Sequence, residues 1–177
     1  MPYVPVPEDQ PGIRGLLAFK PTSGAAVARL IHQLLRGDSP LSAADRERIA
    51  AHVSQLNDCE FCARSHAAAI DHLDPNGPVP TQGSERTNAR LRALLNLAEA
   101  VASGGHYVTD ELIGAARAAG ANDEAIHDTV LIAGAFCMLN RYVDGLGAVT
   151  PKADAIYDAM GAQMAANGYL GAVPTGS

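Results

Sequence analysis

Apolar residues recur along this chain at intervals of three and four, the spacing that places them on one face of an α-helix. The pattern predicts about seven helices. They run over residues 24–35, 42–56, 59–72, 84–103, 109–119, 122–143 and 150–166. No segment shows the sustained alternation of apolar and polar residues that a half-buried strand needs. We therefore predict an all-α fold, a compact multi-helix domain.

Most predicted helix starts carry a residue whose side chain commonly caps a helix N-terminus. These residues are Ser42, Ser84, Thr109, Asn122 and the pair Thr150-Pro151. Asp45, three residues after Ser42, resembles the second member of a capping box. Asn57 and Asp58 interrupt the pattern after the second helix and are candidate caps for the third. Residues 74–83, rich in Pro and Gly, form a predicted loop.

The first 23 residues differ from the rest because they contain five prolines. We predict an extended N-terminal arm over residues 1–23, with at most a short turn near residues 13–19. Residues 24–177 then form a single all-helical domain. The arm also carries apolar side chains, so we expect it to pack on its own domain or on a neighbouring subunit.

The composition of the 177 residues excludes several classes of function. Hydrophobic residues make up 47%, but aromatic residues only 5%, so small aliphatic side chains should fill the core. A net charge of −6 without a basic stripe argues against nucleic acid as a partner, because phosphate contacts need clustered Lys and Arg. No apolar run approaches the roughly 20 residues of a membrane helix, and the N-terminus does not read as a signal peptide. We therefore predict a cytoplasmic protein with no membrane partner.

Two of the three cysteines lie close together, in the stretch Cys59-Glu60-Phe61-Cys62-Ala63-Arg64-Ser65-His66. In a helix that begins near Cys59, the side chains of Cys62 and His66 share its face. The helix N-terminus favours a thiolate, and His66 can accept the thiol proton. The motif predicts thiol redox chemistry. A zinc site that adds His52 to these three residues is the alternative.

The preceding helix supplies a carboxylate, Glu47, among apolar neighbours. If Glu47 faces inward, it is a buried acid with a raised pKa that can exchange protons with Cys62 directly or through water. Its neighbours Arg46 and Arg48 support the competing interpretation, an exposed helix face that forms ion pairs.

These residues resemble the signature of the alkyl hydroperoxidase D / carboxymuconolactone decarboxylase family. The resemblance is carried by Leu41-Ser42-x-x-x-Arg46-Glu47 and then by Val53-Ser54-x-Leu56-Asn57-x-Cys59-x-x-Cys62-x-x-x-His66. The spacing of the Glu, the two Cys and the His matches the hydroperoxidase branch. A second piece is similar to the end of the long helix in the peroxidase-related subgroup. It reads Phe136-Cys137-Met138-Leu139-Asn140-Arg141-Tyr142-Val143-Asp144-Gly145-Leu146-Gly147.

The resemblance implies an alkyl hydroperoxidase D-like fold that assembles as homo-oligomers, either trimers or hexamers. It implies that Cys62 is the peroxidatic thiol and Cys59 the resolving one, with Glu47 and His66 as a proton relay. The expected substrate is a small-molecule peroxide, and the expected reductant is an external dithiol on a lipoyl carrier or a thioredoxin-like protein. No cofactor or metal is required. One departure is Phe61, which stands where the best-studied hydroperoxidase has a second His.

Two other functions remain open on the same residues. A carboxymuconolactone decarboxylase-like enzyme would use this fold without needing a C-x-x-C pair. A redox-sensing oligomer would form the Cys59–Cys62 disulfide on oxidation without turning over a substrate.

Overall fold

The computed structural model describes residues 2–77 and 89–172. Within those ranges it contains eight α-helices and two short 3-10 helices, and no strand. The α-helices are α1 (Ile13–Phe19), α2 (Pro21–Arg36), α3 (Ala43–Leu56), α4 (Glu60–Leu73), α5 (Ala89–Ser103), α6 (Asp110–Ala118), α7 (Asp123–Gly145) and α8 (Asp154–Asn167). The 3-10 helices are Gly105–Tyr107 and Leu170–Ala172. The predicted all-α fold is confirmed.

Three of the predicted caps are confirmed by side-chain hydrogen bonds. The Ser42 hydroxyl accepts from the Asp45 amide at 3.1 Å, which starts α3. The Thr109 hydroxyl accepts from the third amide of α6 at 3.4 Å, and the Asn122 side chain accepts from the third amide of α7 at 2.9 Å. The predicted cap Ser84 and residues 78–83 of the predicted loop lie outside the described residues.

Two predicted helix caps are wrong, because the residues concerned make other contacts instead. The last helix begins at Asp154 instead of following Thr150 directly. The carbonyl of Pro151 instead accepts hydrogen bonds from Arg64 and Tyr157, both at 3.1 Å. Asn57 does not cap α4, whose N-cap is Cys59; its amide donates to an asparagine of α7.

The N-terminal arm is more helical than expected and packs on its own domain. It contains α1, and α2 already begins at Pro21, a favourable residue for the first turn of a helix. Leu16 and Leu17 are buried in the interior. Further back, the amides of Tyr3 and Gly12 donate to carbonyls that follow α7, at 3.0 and 2.9 Å. Packing on its own domain was one of the two expected outcomes.

The helices enclose two adjoining apolar clusters. The larger contains residues of α2, α3, α5 and α7, and the smaller contains both cysteines of the C-x-x-C motif together with Phe61 of α4 and Tyr157 of α8. The α3–α4 and α4–α8 pairs make the most extensive contacts. Helix α4 therefore packs between α3 and α8, and its cysteine motif lies in the smaller cluster.

None of the described helices combines the length and the hydropathy that crossing a membrane requires.

Helix α8 approaches α4 closely at Gly161, where a Cβ atom would lie 2.5 Å from the carbonyl carbon of Ala68. We expect Gly161→Ala to destabilise the protein by about 1–3 kcal/mol, because neither backbone can move freely. Gly114→Ala is the matched control, since a Cβ there meets nothing within 4 Å. It should stabilise α6 by about 0.5–1 kcal/mol. Urea unfolding of both variants measures the difference, and equal effects would contradict the close α4–α8 contact.

Candidate functional site

The turn between α3 and α4 brings the predicted site residues together. Asp58 adopts φ 56° in this turn, and the amide of Cys59 donates to the carbonyl of Ser54 at 3.0 Å, which reverses the chain. Cys59 then caps α4, Cys62 lies in its first turn and His66 one turn further. The two cysteines are free thiols in hydrogen-bond contact with each other, and both are buried.

Glu47 faces inward from α3 and is completely buried. One carboxylate oxygen lies 2.5 Å from Nδ1 of His66. The other accepts from the Tyr169 hydroxyl at 2.6 Å and from the Arg36 guanidinium at 2.7 Å. The Tyr169 hydroxyl is also 3.4 Å from the same His66 nitrogen. Four elements of the chain therefore meet at one carboxylate.

The expected raised pKa of Glu47 is wrong. Burial alone would raise the pKa, but the charge and hydrogen bond of His66, the charge of Arg36 and the hydrogen bond of Tyr169 outweigh burial and lower it. Glu47 is therefore an anion at neutral pH, and its carboxylate holds the His66 ring through Nδ1. With Nδ1 bound to Glu47, Nε2 of the imidazole is the nitrogen that can take up a proton.

The competing interpretation of an exposed ion-pairing helix face is also wrong. Arg46 and Arg48 are buried. Arg46 donates to the carbonyls of Leu34 and Gly37 at 3.2 and 2.8 Å, which ties α3 to the end of α2. Arg48 pairs with two carboxylates, one from each end of the α3–α4 hairpin.

The Cys62 thiol is less acidic than the helix N-terminus alone would make it. Its hydrogen bond with Cys59, its burial and the charge of Cys59 raise the pKa of Cys62 above the usual range for a thiol. A hydrogen bond with Asn140 acts in the opposite direction. In this arrangement Cys62 is a protonated thiol, so a reaction that needs its thiolate must supply a base beside it.

A cavity of about 70 Å³ adjoins the reactive groups. Cys62 and His66 contribute to its wall, whereas Cys59 and Glu47 are not among the described lining residues. The remaining wall is mainly apolar. It is formed by Ile13, Leu17, Ala28, Ile31, Phe61, Phe136, Leu139, Met160 and Met164, with Arg14, Ser65, Gln163, Gly168 and Tyr169. The cavity is thus lined by the Cys62 sulfur and the His66 imidazole. The Cys59 sulfur and the Glu47 carboxylate lie behind these two groups.

Asn140 of α7 approaches Cys62 and is held in place by hydrogen bonds with residues at the end of α3. The amide of Asn57 donates to Oδ1 of Asn140 at 2.9 Å, and Nδ2 of Asn140 donates to the Ser54 hydroxyl at 3.0 Å. Ser54 donates in turn to the carbonyl of Ala50 at 2.8 Å. These hydrogen bonds identify Nδ2 of Asn140 as the donor atom of its side chain. A donor in contact with the Cys62 sulfur stabilises the thiolate.

His52, which would be the fourth ligand in the alternative zinc site, binds a different residue. Its Nε2 lies 2.8 Å from a carboxylate oxygen of Glu99 on α5. Across residues 2–77 and 89–172, no group of three or more His, Cys, Asp or Glu side chains is arranged to hold a metal ion. The geometry gives the zinc alternative no support.

Three residues of the site lie outside the predicted set. Arg36 ends α2, Tyr169 follows α8 and Asn140 lies on α7. Neither Arg36 nor Tyr169 has a spacing to the cysteine motif that would have indicated its position. Asn140 lies within the second piece of the family resemblance, which is the one sequence signal for it.

Phe61 packs as part of the wall, and its ring leaves no room for a side chain at Gly12. A Cβ atom at Gly12 would lie 2.0 Å from the ring, and Gly12 has φ +59°, which favours glycine. The ring centroid of Phe61 is 6.0 Å from that of Tyr157. The residue between the cysteines thus anchors the N-terminal arm to α4.

Residues 21–71, which include Glu47, both cysteines of the motif and His66, match the Carboxymuconolactone decarboxylase family. The chain is also similar to the solved structure of an uncharacterized peroxidase-related protein from Silicibacter sp. TM1040. The two are 27% identical with a TM-score of 0.73, over 84% of this chain and 78% of that one. Both matches support assignment of the chain to the alkyl hydroperoxidase D / carboxymuconolactone decarboxylase family.

A second solved structure agrees with this family assignment. It is an alkylhydroperoxidase AhpD core, an uncharacterized peroxidase-related protein from Ralstonia eutropha JMP134. It is 25% identical with a TM-score of 0.75, over 86% of this chain and 81% of that one. No curated protein matches the chain. The comparisons thus establish the alkyl hydroperoxidase D-like fold and support the family assignment.

The substitution Glu47→Gln should change how the stability of the protein depends on pH. A carboxylate whose folded-state pKa is depressed stabilises the fold above its unfolded-state pKa, near 4.5, and loses that contribution as the pH falls through the folded-state value. The wild type should therefore lose stability below about pH 4.5 more steeply than the variant. At pH 7 the variant should be about 3–5 kcal/mol less stable, because the charge of Arg36 loses its partner.

Urea unfolding at neutral and at acid pH measures both effects. Glu60→Gln is the control, since Glu60 forms an exposed ion pair with Arg64 on α4 and should change stability by less than about 1 kcal/mol. Parallel pH profiles for the wild type and Glu47→Gln would contradict a depressed pKa.

Asn140→Ala should raise the pKa of Cys62 further, because Asn140 is the donor that lowers it. Alkylation of Cys62 by iodoacetamide should therefore slow, about tenfold for each unit by which the pKa rises, because the thiolate fraction falls by that factor. Mass spectrometry of the labelled peptide gives the rate. The exposed Asn96→Ala variant of α5 serves as control. An unchanged alkylation rate in Asn140→Ala would show that Asn140 does not stabilise the Cys62 thiolate.

Proposed function

We propose that this family member is a thiol-dependent peroxidase, which reduces hydroperoxides through the Cys59–Cys62 pair and is recycled by an external dithiol. One observation carries the proposal. Cys62 and His66 line the same cavity, while Nδ1 of His66 is held 2.5 Å from the buried carboxylate of Glu47. Cys62 can therefore act as the nucleophile, His66 as the base and Glu47 as the group that orients the base. The peroxidase-related proteins of the same fold support this assignment.

The first half of the cycle uses the base to form the thiolate. Nε2 of His66 takes the proton of the Cys62 thiol, and Glu47 stabilises the resulting imidazolium. The thiolate attacks the terminal oxygen of ROOH, and the O–O bond breaks. The departing RO⁻ takes the proton from His66 and leaves as alcohol, while Cys62, oxidised by two electrons, becomes a sulfenic acid.

The second half returns the protein to the dithiol. The Cys59 sulfur attacks the sulfenic sulfur, so that a disulfide forms and water leaves. An external dithiol reduces the disulfide by exchange and is itself oxidised to a disulfide. The sum is one hydroperoxide and one dithiol converted to one alcohol, one water and one disulfide. Every step uses groups of the chain, the peroxide and the reductant.

The raised pKa of Cys62 is compatible with this cycle and gives His66 a defined task. A thiol that stays protonated at rest does not react with every oxidant it meets. It becomes a nucleophile when its proton passes to the adjacent imidazole. The position of Cys62 on the cavity wall, with Cys59 behind it, favours Cys62 as the sulfur that meets the peroxide.

We also infer that the reductant is a lipoyl or thioredoxin-like dithiol, that the protein works in the cytoplasm and that it assembles as a trimer or hexamer. Leu131 and Met138 support assembly, because both are large apolar side chains exposed on α7, seven residues apart. A helix face of this kind is what an interface between copies covers. Sedimentation equilibrium that gives the mass of a monomer would remove this part of the proposal.

Peroxide consumption by the purified protein with dihydrolipoamide tests the function. Cys62→Ser should abolish turnover. His66→Ala should reduce turnover by about 10²–10⁴-fold, because it lacks the base. Cys59→Ser should consume one equivalent of peroxide without reductant and accumulate a sulfenic acid that dimedone traps. Cys137→Ser is the control, since Cys137 lies on α7 outside the described cavity wall, and it should retain activity.

Turnover by Cys62→Ser at the wild-type rate would overturn the proposal. A lactone decarboxylase activity that survives Cys59→Ala but disappears in His66→Ala would favour the decarboxylase instead. Stoichiometric oxidation of the wild type to the disulfide with a change of assembly, and no turnover with any dithiol, would identify a redox sensor.

A further inference from the structure

The apolar cavity beside Cys62 contains one cation that the proposed peroxidase cycle does not use. Arg14 of α1 lines the cavity, and its Nε is buried with no hydrogen-bond partner among the described residues. Its one described hydrogen bond joins Nη1 to the neutral side chain of Gln163, at 3.4 Å. A buried donor without a partner loses its hydration and gains nothing in return. The Arg14 side chain is therefore suited to a ligand that brings an acceptor.

The charge around the cavity selects the kind of acceptor. None of the described lining residues is an Asp or a Glu. The buried carboxylate nearest to the cavity, Glu47, already has Arg36 and His66 as partners. The cavity is therefore cationic at Arg14, although the protein as a whole carries a charge of −6. The Arg14 side chain is half-buried, and a guanidinium binds a carboxylate more strongly than a neutral acceptor because charge and paired hydrogen bonds act together.

We propose that the cavity takes a short-chain hydroperoxide that carries a carboxylate, with the carboxylate bound to Arg14 and the peroxide at Cys62 and His66. The identification of the peroxide end rests on the proposed peroxidase function. The carboxylate end rests on Arg14 alone and can be tested without turnover.

The size and lining of the cavity define the part of the ligand between these two ends. Leu17, Ile31 and Leu139 present hydrocarbon to it, so the spacer is apolar. The volume of about 70 Å³ is less than half the roughly 150 Å³ of an engineered cavity that accepts benzene. The enclosed spacer is therefore a short aliphatic chain instead of a long acyl chain.

Two inert probes of matched shape measure the carboxylate preference. 4-Methylpentanoate carries the charge, and 4-methylpentanamide is its neutral counterpart. Met160 and Met164 line the cavity, so the NMR shifts of their ¹³C-labelled methyl groups report both affinity and position. Met138, exposed on α7, is the internal control. We expect the wild type to bind the carboxylate at least about tenfold more tightly than the amide.

Arg14→Gln should bring the ratio of the two affinities close to one, because it retains a donor but removes the charge. Arg29→Gln, at an exposed position on α2, should retain the wild-type ratio. Equal binding of the two probes by the wild type would overturn the inference. An unchanged ratio in Arg14→Gln, or probes that leave Met160 and Met164 unshifted, would overturn it as well.

The two proposals fail separately. If the carboxylate preference depends on Arg14 but the wild type with dihydrolipoamide reduces neither tert-pentyl hydroperoxide nor 4-hydroperoxy-4-methylpentanoate, the anion site stands and the peroxidase function falls. If the wild type reduces that neutral peroxide but shows no preference for 4-methylpentanoate over 4-methylpentanamide, the peroxidase function stands and the carboxylate specificity falls.

Discussion

The buried carboxylate of Glu47 is the constraint on which the rest of the structure depends. An ionised group without water is stable only when charges and hydrogen bonds surround it. Its partners come from three other parts of the chain: Arg36 from the end of α2, His66 from α4 and Tyr169 from the segment after α8. These elements cannot shift independently, since any displacement leaves a buried charge with fewer partners. The same contacts that hold the helices together therefore set the orientation of the imidazole.

Under the proposed function, two polar groups favour ionisation of Cys62. The imidazole of His66, oriented by Glu47, takes up its proton, and the amide of Asn140 stabilises the thiolate that remains. Cys59 and burial act against ionisation. Such a thiol is unreactive at rest, and its reactivity depends on the base beside it. Under the proposed function, specificity then follows from what the cavity admits next to His66.

The sequence predicted correctly the features that neighbouring residues determine. It failed where a residue distant in the chain binds the side chain instead. Ser42 caps α3 with its own side chain, and the C-x-x-C and His spacing places three groups on one helix. Asn57 was expected to cap α4, but it binds Asn140, 83 positions away in the chain. Tyr169 reaches Glu47 across 122 positions. No spacing within the motif encodes such contacts, because they arise only when the helices have packed.

The lowered pKa of Glu47 shows the same limit in electrostatic terms. Spacing indicates an inward carboxylate, and desolvation alone then predicts a raised pKa. The sign reverses because Arg36 and Tyr169 also reach the carboxylate, and neither is visible from the motif. The N-terminal arm extends this argument to the cavity. Gly12, fitted against the ring of Phe61, holds α1 where Arg14 enters the wall. The Pro-rich N-terminal segment thus contributes Arg14, a charged residue among the described lining residues that the proposed proton relay does not use.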